Sequence, residues 1–368
     1  MPVFSVVIPA SPFLRQRMAG LSGIARSVIH ADLAGARAIY VVSPDELVED
    51  WTRSFAIRQR PLPEVIRVAR RGEVPVGDGE LLLDLPPDRL LTLEGMRHLR
   101  DHPGSELSDP AHAFAAGPAK ALSREIFAAS MKSSEGWVIR NIDRPISTRI
   151  AAWLVRSWDI SPNWVSWSCF ALALVMSAVL AHGGAPWLAA GGALLQAVMV
   201  IDCVDGDIAR VTYSYSRFGA ALDTALDMIS NLAFVLALMI GLVRTYGWEE
   251  LAIAGAMAVV AAVCIALMTL LVRLGPGGGS FDVLRPALAL RLARHPRLQA
   301  SVLAIERLFK RDFYTLFFAV LCVAGAARLL PWFGLAGVCI WFLAILWCAP
   351  LIVGDKTGAL LPEHIKAQ

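Results

Sequence analysis

Charge is scarce in this chain: Asp, Glu, Lys and Arg make up 18% of its 368 residues, against roughly 25% in soluble domains. The shortfall is local, because the apolar excess lies almost entirely after about residue 160. Several apolar runs there reach about 20 residues, enough to cross ~30 Å of hydrocarbon as helix. A large surplus of either charge is missing as well. The net charge of +3 is too small to imply a nucleic-acid partner, and the basic residues gather beside apolar segments instead of lining one groove. Paired-cysteine motifs are absent: Cys169, Cys203, Cys264, Cys322, Cys339 and Cys348 fall in or beside apolar segments without CxxC or similar spacing. They read as membrane-buried hydrophobes, with no disulfide framework implied. The Met1 end shows no basic stretch followed by an apolar one. No cleavable signal peptide is therefore expected, and the amino-terminal part is expected to stay in the cytoplasm.

What is present begins as an ordinary α/β globule. Residues 3–9 (VFSVVIP) suit a buried strand, followed by a helix over about Leu21–Leu33 and a strand at Ala38–Val42. Further strands are expected at Val65–Val68 and Glu80–Leu85, and helices near Pro44–Phe55, Thr92–His98 and Pro118–Met131. Strands alternating with helices imply a largely parallel sheet. This cytosolic α/β domain is expected over residues 1–130, with a linker and interfacial helix at 131–160, an all-α membrane domain at 161–355 and a cytosolic tail at 356–368. Within the linker, Asn141–Trp158 sets Ile146, Ile150, Trp153 and Leu154 on one helical face, with Arg149 and Arg156 on a polar side. That pattern predicts an amphipathic helix lying in the membrane interface.

Six transmembrane helices are expected: Pro162–Ala181, Trp187–Ile208, Gly219–Val243, Glu249–Val272, Phe313–Leu330 and Trp332–Val353. Arginines and lysines mark the cytoplasmic side. They precede the first span (Arg140, Arg144, Arg149, Arg156), lie between spans two and three (Arg210, Arg217), and crowd the segment from Arg273 to Arg311. The other side holds little beyond Arg244 and Arg328. Both termini and the junction of spans two and three are thus expected in the cytoplasm. In the basic segment, His295 reads as a surface residue, while Arg311, entering span five beside Asp312, is a candidate contact for an acceptor.

The chemistry is expected at that junction, where residues 202–227 read DCVDGDIARVTYSYSRFGAALDTALD. Asp202 and Asp205 share one helix face, as do Asp223 and Asp227 on the next helix. Each acid costs about 2.5–3.5 kcal/mol at mid-membrane and less near the interface. Converging carboxylates repel unless cations neutralise them, and hard oxygen ligands select Mg²⁺, Mn²⁺ or Ca²⁺. Gly206 and Gly219 permit close approach of a ligand or a neighbouring helix, and Arg210 suits a phosphate.

The run Asp202-x2-Asp205-Gly206-x2-Ala209-Arg210-x8-Gly219-x3-Asp223-x3-Asp227 resembles the signature of the CDP-alcohol phosphotransferase family at all eight fixed positions. The resemblance covers about residues 137–353. It implies attack by an acceptor hydroxyl on a CDP-linked donor with loss of CMP. It also implies that Asp202, Asp205 and Asp223 hold two Mg²⁺ or Mn²⁺ ions against the donor pyrophosphate. Asp227 would then be the general base, and Gly206, Ala209, Arg210 and Gly219 would line the cytidine diphosphate site. Two metals about 3.5–4 Å apart suit an in-line displacement. A homodimer in a bacterial or archaeal inner membrane, working on lipid or polar alcohol acceptors, completes the expectation.

The amino-terminal half resembles a sugar-phosphate nucleotidyltransferase in its strand–helix opening and in Leu21–Leu33 ahead of Ala38–Val42. Yet the chain continues from its first strand as Pro9-Ala-Ser-Pro-Phe-Leu-Arg-Gln-Arg, without the glycine-rich loop that would cradle a triphosphate. A degenerate domain is expected, the alternative being a bifunctional enzyme that makes its own CDP-alcohol. A chain beginning near residue 135 is expected to keep its membrane chemistry. An ion-coupled transporter is the competing class, since buried carboxylates also relay ions. Against it, the acids cluster at one junction and do not continue across the bilayer.

Overall fold

The computed structural model describes residues 3–45, 51–57, 63–75, 80–105, 109, 111–131, 135–158, 160–274, 284–293, 297 and 311–354. Met1–Glu135, Ile142–Ser168 and Val200–Leu226 form one unit, and Gly136–Asn141, Cys169–Met199 and Asp227–Gln368 form a second. His295 and most of the basic segment lie outside the described residues.

The first unit opens with strand β1 (Phe4–Pro9), a small hairpin of β2 (Arg17–Met18) and β3 (Leu21–Ser22), and helix α1 (Gly23–Ala34). Then come β4 (Ile39–Val42), α2 (Thr52–Ile57), β5 (Val65–Val68) and β6 (Leu81–Asp84). The sheet order is β5-β4-β1-β6, all parallel. A central parallel strand is covered on both faces and so reads as a continuous apolar run. In β1, Val6 and Ile8 enter the main core while Val7 packs with Tyr40 and Val74 on the other face. Each such side chain contributes ~1.5–3 kcal/mol through burial. A second hairpin, β7 (Arg89–Leu91) with β8 (Ala113–Ala115), flanks α3 (Leu93–Asp101), and α4 (Ala119–Ala129) follows. These three-residue strands are too short for periodicity to reveal. The helix expected from Leu21 starts at Gly23 instead. Leu21 pairs with Met18, and Ser22 keeps an extended backbone while its hydroxyl accepts from Ala25 N–H at 3.0 Å.

Helix α5 (Arg144–Ser157) also belongs to this unit. Its buried positions are Arg144, Ser147, Ala151 and Val155, and the last two join the core of the sheet. The apolar face expected there splits: Ile150 and Leu154 pack against that core, whereas Ile146 and Trp153 are 44% and 56% exposed. The core continues into Val165, Val204, Ile208 and Val211.

Four long helices follow: α6 (Pro162–His182), α7 (Ala185–Val211), α8 (Arg217–Tyr246) and α9 (Glu249–Leu274). After α10 (Leu284–Leu292) come α11 (Arg311–Val323), a 3₁₀ turn at Ala327–Leu329, and α12 (Leu330–Gly354). In the second unit, Met176, Leu180, Leu188, Ala237, Leu242 and Cys322 share one core. Cys264, Met268, Ala287, Ile345, Cys348 and Ile352 share another. Five described segments are long and apolar enough to cross a membrane: α6, α7, α8, α9 and Ala327–Gly354. The fifth expected span ends early. α11 has 13 described residues, about 20 Å of helix. It closes on a glycine cap with Gly325 at φ 74° and Ala326 N–H donating to Leu321 O at 2.8 Å.

Candidate functional site

The last turns of α7 carry Asp202, Asp205, Gly206, Ala209 and Arg210, and the first turns of α8 carry Gly219, Asp223 and Asp227. Ser216 caps α8, its hydroxyl accepting from Gly219 N–H at 2.9 Å. A Cβ on Gly219 would stand 3.1 Å from Asn163 Oδ1 and 3.2 Å from Ser216 Oγ, closer than ordinary contact, so glycine leaves those two side chains their room.

Asp205 is 6% exposed and accepts from Ser166 Oγ of α6 at 2.5 Å. Two residues on lies Asp207, buried to 1% exposure, which serves as the hub of the site. It accepts from Ser147 Oγ at 2.8 Å and Arg210 Nη2 at 2.9 Å, and it pairs with Arg144. Arg144 also pairs with Glu135, its Nε donating at 3.0 Å. Buried charge is costly unless it is paired, and here carboxylate and guanidinium alternate from Glu135 through Arg144 and Asp207 to Arg210. Arg210 lies along α7 over Gly206, where a Cβ would meet Nη1 at 3.1 Å. Its buried Nε–H has no hydrogen-bond partner. An anionic oxygen would satisfy that donor.

In the second unit, Asp227 forms an ion pair with Arg311, and the two side chains are 33% and 40% exposed. The neighbouring Asp312 is buried and accepts from Val138 N–H at 3.2 Å. The acceptor candidate and the candidate base named from sequence therefore meet each other. The three candidate metal ligands, Asp202, Asp205 and Asp223, offer only hard oxygen, which suits Mg²⁺ or Mn²⁺ in kind. As placed, no group of three His, Cys, Asp or Glu side chains among the described residues is gathered to hold an ion.

Sequence reasoning passed over Asp207, Arg144, Glu135, Ser147 and Ser166. A signal for one of them was present. DCVDGD carries three acids near the end of an apolar run, and an acid there demands a partner. Arg144 was read as orientation charge alone.

A model of the family described as CDP-alcohol phosphatidyltransferase matches residues 159–348, just over half of the 368-residue chain. The chain is 38% identical over 104 residues to the bifunctional IPC transferase and DIPP synthase of Aquifex aeolicus, covering 28% of this chain and 23% of that protein. It is 27% identical over 197 residues to the protein of the same name from Archaeoglobus fulgidus, covering 53% of this chain and 33% of that one. It is 33% identical over 104 residues to the archaetidylinositol phosphate synthase of Methanothermobacter thermautotrophicus, covering 28% and 48% respectively. The matches thus span less than half the length of each of these relatives.

Proposed function

The chain belongs to the CDP-alcohol phosphatidyltransferase family, and on that premise we propose that it transfers a substituted phosphate group from a CDP-alcohol donor to a hydroxyl acceptor, releasing CMP. The observation that carries the reading is the eight-position motif on the adjoining ends of α7 and α8, one of whose members, Arg210, keeps an orphan Nε–H. The chain is an integral membrane protein, with five long apolar segments among the described residues. A sixth crossing through α11, cytoplasmic termini, an interfacial α5 and a homodimer belong to the proposal.

Asp202, Asp205 and Asp223 are the proposed ligands of a divalent cation, Mg²⁺ or Mn²⁺ and two ions in the fullest form of the reading. When bound, the cation would supply charge neutralisation at the donor pyrophosphate. The chain's own residues do the rest. Arg210 turns its unpartnered N–H to a donor phosphate oxygen, and Gly206, Ala209 and Gly219 leave room for the nucleotide. Asp227 takes the proton of the acceptor hydroxyl. The freed oxygen forms a bond to the distal phosphorus of the pyrophosphate, and the bridging P–O bond breaks with its electrons leaving on CMP. An acceptor bearing phosphate would draw Arg311 from Asp227 and so release the base as it binds. The name of the archaetidylinositol phosphate synthase and the position of Arg311 together favour an inositol phosphate as acceptor or as part of the donor.

CMP release on addition of Mg²⁺ and a panel of CDP-alcohols is the test, with chelation expected to stop it. No release from any donor would end the reading and leave transport as the alternative.

A second reading is nucleotidyl transfer by the amino-terminal part, which rests on that part's resemblance to a sugar-phosphate nucleotidyltransferase and on the word bifunctional in the names of two relatives. The loop after β1 speaks against it. There Ser11 N–H donates to Pro9 O at 2.8 Å, Arg15 N–H to Ser11 O at 3.0 Å and Gln16 N–H to Phe13 O at 3.1 Å. Leu14 N–H donates to Ser11 Oγ at 3.2 Å while its side chain is fully buried. Amides spent inside the loop are not aimed at phosphates. Pyrophosphate release from CTP with phosphorylated alcohols would revive this activity.

A further inference from the structure

Helix α7 ends in a Schellman cap: Ser214 N–H donates to Ala209 O at 2.9 Å and Tyr213 N–H to Arg210 O at 3.4 Å. The left-handed residue of such a cap is usually glycine. Here it is Tyr213, at φ 53°, a conformation unfavourable to any residue carrying a Cβ and kept only where the surroundings hold it.

The α/β part of the first unit supplies that hold. His30 Nδ1 lies 2.8 Å from the Leu91 carbonyl, which only accepts, so Nδ1 carries the proton. Nε2 is left to accept from the Tyr213 hydroxyl, 2.5 Å away. The two rings meet edge to face at 5.2 Å, and Arg26 stands 5.9 Å from the tyrosine centroid. His30 and Arg26 are 4% and 1% exposed, so the seat is rigidly packed. The preceding residue is gripped as well. Ser54 Oγ donates to Thr212 O at 2.8 Å. Gly20, at φ 88°, comes so near that a Cβ on it would stand 3.0 Å from Thr212 Cγ2.

We propose that Tyr213 is a positioning residue for phosphate transfer: seated by His30 in the α/β part, it sets the final turn of α7 and thereby the Arg210 guanidinium that meets the donor. The carbonyls that close the cap belong to Ala209 and Arg210, both motif positions, so slack in the cap loosens the backbone that carries the guanidinium, which Asp207 then holds from its other side. This gives the α/β part a task that needs no nucleotide of its own. The inference rests on the proposed function for the identity of what Arg210 meets.

Tyr213→Gly removes the ring but suits the left-handed cap, so it is expected to fold. Tyr213→Phe keeps the ring and loses the hydroxyl bond. With full-length protein in lipid nanodiscs, Tyr213→Gly is expected to raise KM for the CDP-alcohol roughly tenfold, with kcat per folded protein within about twofold. Tyr213→Phe is expected to raise it less, and the acceptor KM is expected to hold in both. Hydrogen exchange over residues 205–214 is expected to quicken in Tyr213→Gly and in His30→Ala. Unchanged exchange in both would overturn the seat. Quickened exchange with an unchanged donor KM would reduce Tyr213 to a local cap and overturn its positioning role. A wild-type protein that releases no CMP would fail the functional reading instead, and exchange alone would then decide the seat.

Discussion

Asp227, the proposed base, and Arg311, the proposed acceptor contact, form one ion pair. Asp227→Asn is expected to cut turnover by roughly 10²–10⁴-fold while leaving Mg²⁺-dependent donor binding nearly intact, as loss of a general base should. CMP release and calorimetry on the same preparation separate the two effects, and near wild-type turnover would refute the assignment. Arg311→Ala is expected to raise the KM of a phosphorylated acceptor and spare that of the donor. His30 offers a prediction independent of catalysis. Burial lowers its pKa from 6.5 to about 4, opposed by the Leu91 carbonyl and assisted by Arg26; Tyr213 also faces it. Between those values the unfolded chain binds a proton that the folded chain refuses, so stability should rise with pH up to about 6.5 and level off above. The slope is ~1.4 kcal/mol per pH unit. Melting temperatures in detergent from pH 5 to 8 should show a shallower acid-side fall for His30→Gln, and equal slopes would refute this account.

At the scale of elements, α7 shows how much can be read from spacing and how much cannot. Its motif positions stood out because acids and glycines recur at helical intervals within an apolar run. Its hub, Asp207, did not, because its partners Ser147 and Arg144 are about sixty residues away and only folding brings them near. Arg144→Met leaves Asp207 and Glu135 buried with one partner fewer and is expected to cost roughly 3–5 kcal/mol. Chemical denaturation of solubilised protein measures it, and a second change, Asp207→Asn, should recover part of the loss. α11 teaches the converse. Hydropathy alone carried the expected fifth span through to Leu330, but Gly325 takes a left-handed conformation and stops the helix at Val323.

At the scale of the molecule, the cores do not follow chain order. Phe4, Ile8, Val28 and Leu91 share a core with Ala151, Val155, Val204, Ile208 and Val211. Removal of residues 1–135 would uncover that apolar surface, so the truncated chain is now expected to aggregate or lose activity instead of keeping its chemistry. Size-exclusion chromatography and CMP release of the truncated protein are the measurements, and a monodisperse, active product would show the shared core to be dispensable. By itself the sequence determined the parallel α/β opening, the long apolar helices and the motif, since each is written in local periodicity, length or fixed spacing. Tertiary structure alone decided that Asp207 is the hub, that Asp227 meets Arg311, and that Tyr213 is held by His30. Those outcomes depend on side chains 60 and 63 residues apart for Asp207 with Ser147 and Arg144, 84 for Asp227 with Arg311 and 183 for Tyr213 with His30. No local pattern encodes such distances, because packing and the pairing of buried polar groups choose the partners only once the chain has folded.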